Sequence, residues 1–476
     1  MFRGIFKLPA GWWIRVGPDG LRAAARWWDA VPGKSAAGRE TADRSNRDRR
    51  AYFESGVRDR LDRAVAKRMM SDVPVGVFLS GGMDSSAILA LMSRHADRPV
   101  NSFCVGFADH PEVNELEYAR LAASKFGARH HEILVTDRDV TDYLETFVGQ
   151  QDEPIADWVC LPLHFVAALA RSHDVKVVQL GEGADEQFCG YGYYLRNLRL
   201  FQRYWRPFTS LPQPVRSACA ALAGLAALAG PTGRLGRIAD LAKRGAAGGE
   251  LFWSGAPVFW EHEKRRLAAA QAFRREAAEG EPALLESGML NAGLLQFDSA
   301  NVVAAALKPF DASHPGRDQL TRMIHAEFRL RLPELLLMRV DKITMAHGLE
   351  ARVPFLDPQL VDFTMDIPGD AKIPGNRPKD LLRSALRGLV PDAILDRSKR
   401  GFSAPMAAWL RGPLGLRIEA EVMRSRLLDR RFLAAGAVQT LLRDHRAGRA
   451  GHALRIWTLF NLTAWYENWI EPGRPV

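Results

Sequence analysis

The sequence predicts an α/β protein: a parallel sheet flanked by helices, continued by a largely helical C-terminal half. Three observations carry this. From about residue 70 to 180, short apolar runs alternate with amphipathic segments, the order of β-α-β units. The runs from Val73 to Leu79 and "VKVVQL" (175–180) are apolar almost throughout, as strands covered on both faces are. Beyond about residue 195, strand signals nearly vanish and amphipathic helical patterns dominate.

Taken in order, residues 1–30 hold short strand-like pieces separated by Pro-Ala-Gly and Gly-Pro-Asp-Gly turns. Residues 31–50 are polar and charged and read as a linker. A helix is expected over about 51–70, with Phe53, Val57, Leu61 and Val65 on one stripe. "VPVGVFLSGGMDSSAIL" (73–89) is then a strand, a glycine turn and a helix start. "VNSFCVGF" reads as a strand, "NELEYARLAASKF" as a helix, "HHEILV" as a strand and "LPLHFVAALARSH" as a helix, before the strand "VKVVQL". The alanine-rich "SACAALAGLAALAG" (217–230) is too short to span a bilayer and is expected to be a packed helix, with peripheral membrane contact as the alternative. No internal repeat or low-complexity tract is apparent.

At 476 residues, with 47% hydrophobic and 25% charged residues, the chain has an ordinary globular composition and room for two or three domains. Cys104, Cys160, Cys189 and Cys219 are widely spaced and form no CxxC pair, which argues against a disulfide framework or zinc site and fits a reducing cytoplasm. No apolar N-terminal run has the length of a secretory signal. The formal charge of +10 is compatible with polyanions, but the basic residues form no long block, so no nucleic-acid partner is expected.

Chemistry gathers at two predicted strand ends. After Leu79, the residues Ser80, Gly81 and Gly82 leave no bulk at the turn, and the helix that follows points free N–H groups and its positive end at one spot. Gly-Gly turns before helices are common, and the competing reading is that Asp84 or Ser85 merely caps the helix or complements its dipole. The loop matches neither GxxxxGK[ST] nor GxGxxG. A carboxylate such as Asp84 beside a phosphate is repulsive unless a divalent cation lies between them, so the loop reads as a site for magnesium-bound polyphosphate. The second strand ends in "GEGADEQFCGY" (181–191), where Glu182, Asp185 and Glu186 are either a solvated acidic loop or a second ligand set. Asp84 and Asp185 are the natural metal pair, leaving Glu182 for proton transfer. In "LPELLLMRVDKITMAHGLEARVPFLD" (332–357), helical spacing puts Lys342 on a stripe with Leu335, Met338, Met345, Ala346 and Leu349. A lysine there snorkels to water or meets an anion such as a nucleotide phosphate. Lys379 in "GNRPKDLLRSAL" is, alone, an ordinary lysine near a helix start.

With "SGGMDSS", "GEGADE", "MRVDKITMAHGLEARVPFLD", "KDLLR" and "SKRGFSAPMAAWL" in this order and rough spacing, the chain resembles the synthetase domain of glutamine-dependent asparagine synthetases over roughly residues 50–470. The resemblance implies a PP-loop ATP pyrophosphatase fold of the adenine nucleotide alpha hydrolase kind. It also implies ATP cleavage between the α and β phosphates, an acyl-adenylate, and amide formation with ammonia. It assigns Ser80, Gly81, Gly82, Ser85 and Ser86 to the pyrophosphate, Asp84 and Asp185 to Mg²⁺, and Leu79, Val105 and Gly181 to the nucleoside. Lys342 and Lys379 match phosphate-facing lysines, and Glu182 matches the acid near the ammonia and the tetrahedral intermediate.

Family members normally begin with a glutaminase domain bearing an N-terminal cysteine. Here Phe2 follows Met1, and residues 1–45 resemble only that domain's closing segment plus a linker. Residues 46–195 are then the α/β core and 196–470 the mainly helical part of one synthetase-like domain. The expectations are three: a truncated chain, use of free ammonia, or nitrogen from a separate glutaminase subunit; a homo-oligomer is a further one. Cys189 stands where the family usually has glycine. The scaffold amidates aspartate, uronic-acid sugars of surface polysaccharides and other carboxylates, and also closes rings; Glu182 favours ammonia as nucleophile. A tRNA-modifying PP-loop enzyme and a non-catalytic assembly partner are the competing readings. The motifs at 332–357 and 398–410 count against the first, and the complete set of phosphate and metal residues against the second.

Overall fold

The computed structural model describes residues 5–35, 37–40, 45–229, 233–252, 254–255, 258–268, 298–397 and 404–471. Their contacts divide the chain into two compact units, each assembled from three separated stretches. One combines Met1–Val31, Tyr191–Pro333 and Arg426–Leu441; the other combines Pro32–Gly190, Glu334–Ser425 and Leu442–Val476.

The first unit opens on an antiparallel hairpin of β1 (Trp12–Gly17) and β2 (Gly20–Arg26), turned by Gly-Pro-Asp-Gly with Gly20 at positive φ. Among its described residues the remainder is mainly helical. Gly192–Leu200 runs through a π-helical turn, Phe201–Trp205, into Arg206–Thr209. Gln213–Ala229 packs against Gly233–Ala246. Ser299–Ser313 and Gln319–Arg329 start at Asp298 and Asp318, whose carboxylates accept from Ala300 N and Thr321 N. The buried carboxylate of Glu327 accepts from the Ser254 hydroxyl and from Gly255 N. Residues 217–230 fall mostly on the Gln213–Ala229 helix, but it is only partly a packed one, because Leu222, Leu225 and Leu228 are exposed; Gly230 lies outside the described residues.

The second unit holds the sheet. β3 (Val75–Phe78), β4 (Asn101–Phe107), β5 (Arg129–Val135), β6 (Val177–Gln179) and β7 (Glu350–Arg352) lie in the order β5-β4-β3-β6-β7, every pair parallel. The helices Asn46–Lys67, Met83–His95, Leu116–Lys125, Cys160–Ser172 and Pro358–Asp366 belong to the same unit. Phe53, Val57, Leu61 and Val65 bury the predicted stripe of the first helix in one core with Val77, Ile88, Leu89, Phe188 and Phe363. That helix starts at Asn46, five residues before the expected position, because Ser45 caps it by accepting from Asp48 N. The linker expected over 31–50 is also partly ordered: Asp366 accepts from Gly33 N, Ser35 N and the Ser35 hydroxyl. β7 is an unexpected strand in a stretch read as helical; "EAR" has no strand pattern and pairs because β6 offers it an edge. Among the described residues no helix is long and apolar enough to cross a membrane.

Candidate active site

Strand order sets the position of the site. From β3 the chain proceeds outward to β4 and β5, then returns to place β6 on the other side of β3. The order therefore reverses between β3 and β6, and in an open parallel sheet the crevice at such a point, beyond the carboxyl ends of the strands, binds ligands. The loops that follow these two strands are 79–82 and 180–183. A cleft there is walled by Leu79, Phe103, Val105, Leu163, Val166 and Leu180, with Ser80, Gly82, Asp84, Ser85, Gly181, Glu182, Asp185 and Arg339 as its polar side.

The 79–82 loop is held by its own serines. Ser85 Oγ accepts from Ser80 N at 3.2 Å and lies 3.1 Å from Ser80 Oγ, which in turn accepts from Gly82 N at 3.3 Å. Gly82 is the N-cap of Met83–His95 and offers no side chain, so neither Asp84 nor Ser85 caps this helix, and its end is left for an anion. Gly81 has φ +69, and a Cβ there would come within 2.7 Å of Ala119 N, so the turn needs glycine. Gly81 and Ser86 do not line the cleft; Ser86 is fully buried one turn into the helix.

The two aspartates come together around one cation. Lys379 Nζ lies 2.5 Å from Asp84 Oδ2 and 2.7 Å from Asp185 Oδ1, and Lys379 is only 3% exposed. Burial alone would lower the pKa of this ammonium; Asp185 and Asp84 together outweigh it and hold it above its ordinary value. The lysine is placed by strained backbone. Lys379 and Cys189 both adopt positive φ, +54 and +55, and Lys379 N donates to Phe188 O at 3.0 Å. The conformation of Cys189 is one that glycine adopts without cost. At Gly190 an added Cβ would overlap Asp185 Oδ1 and Lys379 Cε, so only glycine lets the three charges close up.

These positions fit a magnesium ion. Two carboxylates already converge on a single positive nitrogen, and Mg²⁺ is commonly held by one or two carboxylates plus substrate phosphates. Among the described residues there is no cluster of three or more His, Cys, Asp or Glu that could form a cage on its own.

Glu182 has a partner that sequence reasoning missed. Arg339, 5% exposed, donates to Glu182 Oε1 at 2.6 Å and also to Asp157 Oδ2. The available signal was an arginine inside "LLLMRVD", but helical counting pointed to Lys342 instead. The segment Leu332–Leu337 is π-helical and continues into the helix Met338–Met345. Buried positions are Leu332, Leu336, Arg339, Val340, Ile343 and Thr344, a stripe at ordinary helical spacing that neighbours the one through Lys342, whereas Met345 is exposed. The stripe read from the sequence as the apolar face is thus largely the half-exposed side. Lys342 lies there, 2.8 Å from Asp152, and lines no part of the cleft.

Cys104 also borders the cleft; burial, with Glu132 adding to it, pushes its thiol up to about 12, which makes it a poor nucleophile. Of the motif at 398–410, residues 398–403 lie outside the described residues.

The asparagine synthase family model matches residues 56–467. The chain is 34% identical over 476 residues to a putative glutamine-hydrolysing asparagine synthetase of Mycobacterium tuberculosis, covering 99% of this chain and 65% of that protein. It is 29% identical to the glutamine-hydrolysing asparagine synthetase 1 of Bacillus subtilis (87% and 59% covered) and 25% identical to the amidase chyE of Penicillium rubens (92% and 64%). The chain thus spans slightly less than two thirds of the length of these relatives.

Proposed function

Because the chain belongs to the asparagine synthase family, we propose that it is an AMP-forming carbon–nitrogen ligase that turns a carboxylate into an amide with ATP and ammonia. The observation that carries this reading is the convergence of Asp84 and Asp185 on Lys379, at the sheet edge where strand order reverses.

In the proposed reaction a substrate carboxylate oxygen attacks the α-phosphorus of ATP and pyrophosphate departs. The resulting acyl-adenylate has a good leaving group where the free carboxylate had none. Ammonia then attacks the acyl carbon, AMP leaves, and the proton lost from nitrogen passes to the Glu182 carboxylate. The N–H groups of the 80–85 loop and the helix end receive the pyrophosphate, with Lys379 supplying positive charge beside it. Mg²⁺, held by Asp84 and Asp185, would supply charge neutralisation for the departing pyrophosphate. Leu79, Val105 and Gly181 would border the nucleoside, and Lys342 would reach a phosphate only on leaving Asp152. Arg339 fixes the direction of the Glu182 carboxylate and so prepares it for the second step. The setting would be cytoplasmic, with residues 46–470 as the catalytic region.

Aspartate is the first acid to test, given the relatives' names, with a uronic-acid sugar in the same panel. The test is acid-dependent exchange of labelled pyrophosphate into ATP, followed by amide formation when ammonium is added. AMP and pyrophosphate are the expected products; ADP and phosphate would overturn the reading. Glu182→Gln should retain exchange while amide formation falls about 10²- to 10⁴-fold, the usual range for a lost proton-transfer group. Loss of exchange as complete as that of amide formation would move Glu182 to the phosphate and metal ligands.

A further inference from the structure

The helical unit carries a surface that the proposed reaction does not use. Residues 187–239 contain seven arginines and no aspartate or glutamate, where the chain's overall acidic content would place about six acids. Arg196, Arg199, Arg203 and Arg206 recur at successive helical turns over Gly192–Thr209; all four are exposed, and none has a carboxylate partner among the described residues. The Gln213–Ala229 helix then exposes a run of leucines: Leu222 is 67% exposed, Leu225 63% and Leu228 84%. Helices that expose leucine at this spacing in a globular unit mark a surface that something else covers.

We propose that this segment docks the protein on an anionic phospholipid surface, its leucines entering the acyl boundary and its arginines meeting headgroup phosphates. The arginine-rich helices directly precede in the chain the helix with the exposed leucines, so the segment supplies both ingredients of an interfacial contact, and no helix among the described residues is long and apolar enough to span, so the contact is peripheral. Charge decides between a bilayer and a second copy. Two copies would bring arginine-rich, acid-free segments against each other, whereas anionic headgroups attract them.

The test is sedimentation of the purified full chain with vesicles of phosphatidylcholine alone and with vesicles containing about one-third phosphatidylglycerol. Binding to the anionic vesicles only, weakening as salt is raised, is expected. Leu222→Glu with Leu225→Glu and Leu228→Glu should lower that binding at least about tenfold, and replacing Arg196, Arg199, Arg203 and Arg206 by Gln should remove the preference for anionic lipid. Unchanged thermal unfolding of the variants is the control; Leu228→Ser, at the most exposed position, replaces the triple variant should that one unfold. Absence of binding, equal binding to both vesicles, or binding indifferent to these substitutions would overturn the proposal. So would a dimer that Leu225→Glu splits into monomers, since the face would then belong to a second copy.

Discussion

Two regions of the molecule, the carboxyl edge of the sheet and the arginine-rich helices of Gly192–Thr209, treat charge in opposite ways. At the carboxyl edge of the sheet, Lys379 is buried against two aspartates, and Arg339 is buried against Glu182 and Asp157. In the helical unit, Arg196, Arg199, Arg203 and Arg206 stand in solvent with no carboxylate partner among the described residues. A buried charge is expensive unless its partner is fixed, so the first arrangement holds side chains to a set geometry, as chemistry requires. An exposed charge costs the fold little and is left free for an external anion.

Breaking the buried set should have the largest effect. Lys379→Met leaves Asp84 and Asp185 facing each other, and removing one side of a buried ion pair costs about 3–5 kcal/mol. Urea unfolding should report that loss, and added Mg²⁺ should recover part of it, because a divalent cation would replace the missing ammonium. A loss below about 1 kcal/mol would place these charges in an environment as forgiving as the surface. Gly190→Ala comes next. Its methyl group would press on Asp185 and Lys379, with an expected cost of about 1–3 kcal/mol and loss of pyrophosphate exchange. An alanine variant with normal exchange would show that the triad need not be so close.

Lys342→Met tests the boundary between the two regimes. Lys342 and Asp152 have side chains 35% and 46% exposed, so the pair should contribute no more than about 1 kcal/mol to stability. If Lys342 moves to a phosphate when ATP binds, the same variant should weaken ATP binding by about 1.5–3 kcal/mol, or ten- to more than a hundredfold. An unchanged ATP affinity by calorimetry would confine Lys342 to its surface pair. The smallest change is expected for Arg199→Gln, within about 0.5 kcal/mol of the parent by urea unfolding. A larger loss would mean that this arginine supports the fold.

Much of the candidate site was legible from residue types alone. The glycine turn after an apolar strand, and Asp84 and Asp185 after two such strands, needed only local pattern, because strand ends and helix starts are set by neighbours in the chain. Arg339 was not legible, since the apolar residues of this segment also fit the neighbouring stripe through Lys342, and nothing local shows that an arginine will be buried against Glu182 and Asp157. From local pattern alone Lys379 is an ordinary lysine near a helix start, and only the family resemblance singles it out: its two partners lie far from it in sequence, and a lysine's significance depends on what it is buried against.

The sequence by itself determined the parallel α/β class, the helical second half, the positions of both strand-end loops, and the charge asymmetry of residues 187–239. These are consequences of local composition and short-range spacing. Only the tertiary structure decided the strand order β5-β4-β3-β6-β7, the recruitment of β7, and the assembly of each unit from three separated stretches. It also decided that Lys379 lies between Asp84 and Asp185 while Lys342 does not. Such pairings depend on which edges and buried charges meet once the chain has collapsed. The energies that select them are long-range in sequence, so no local window contains them.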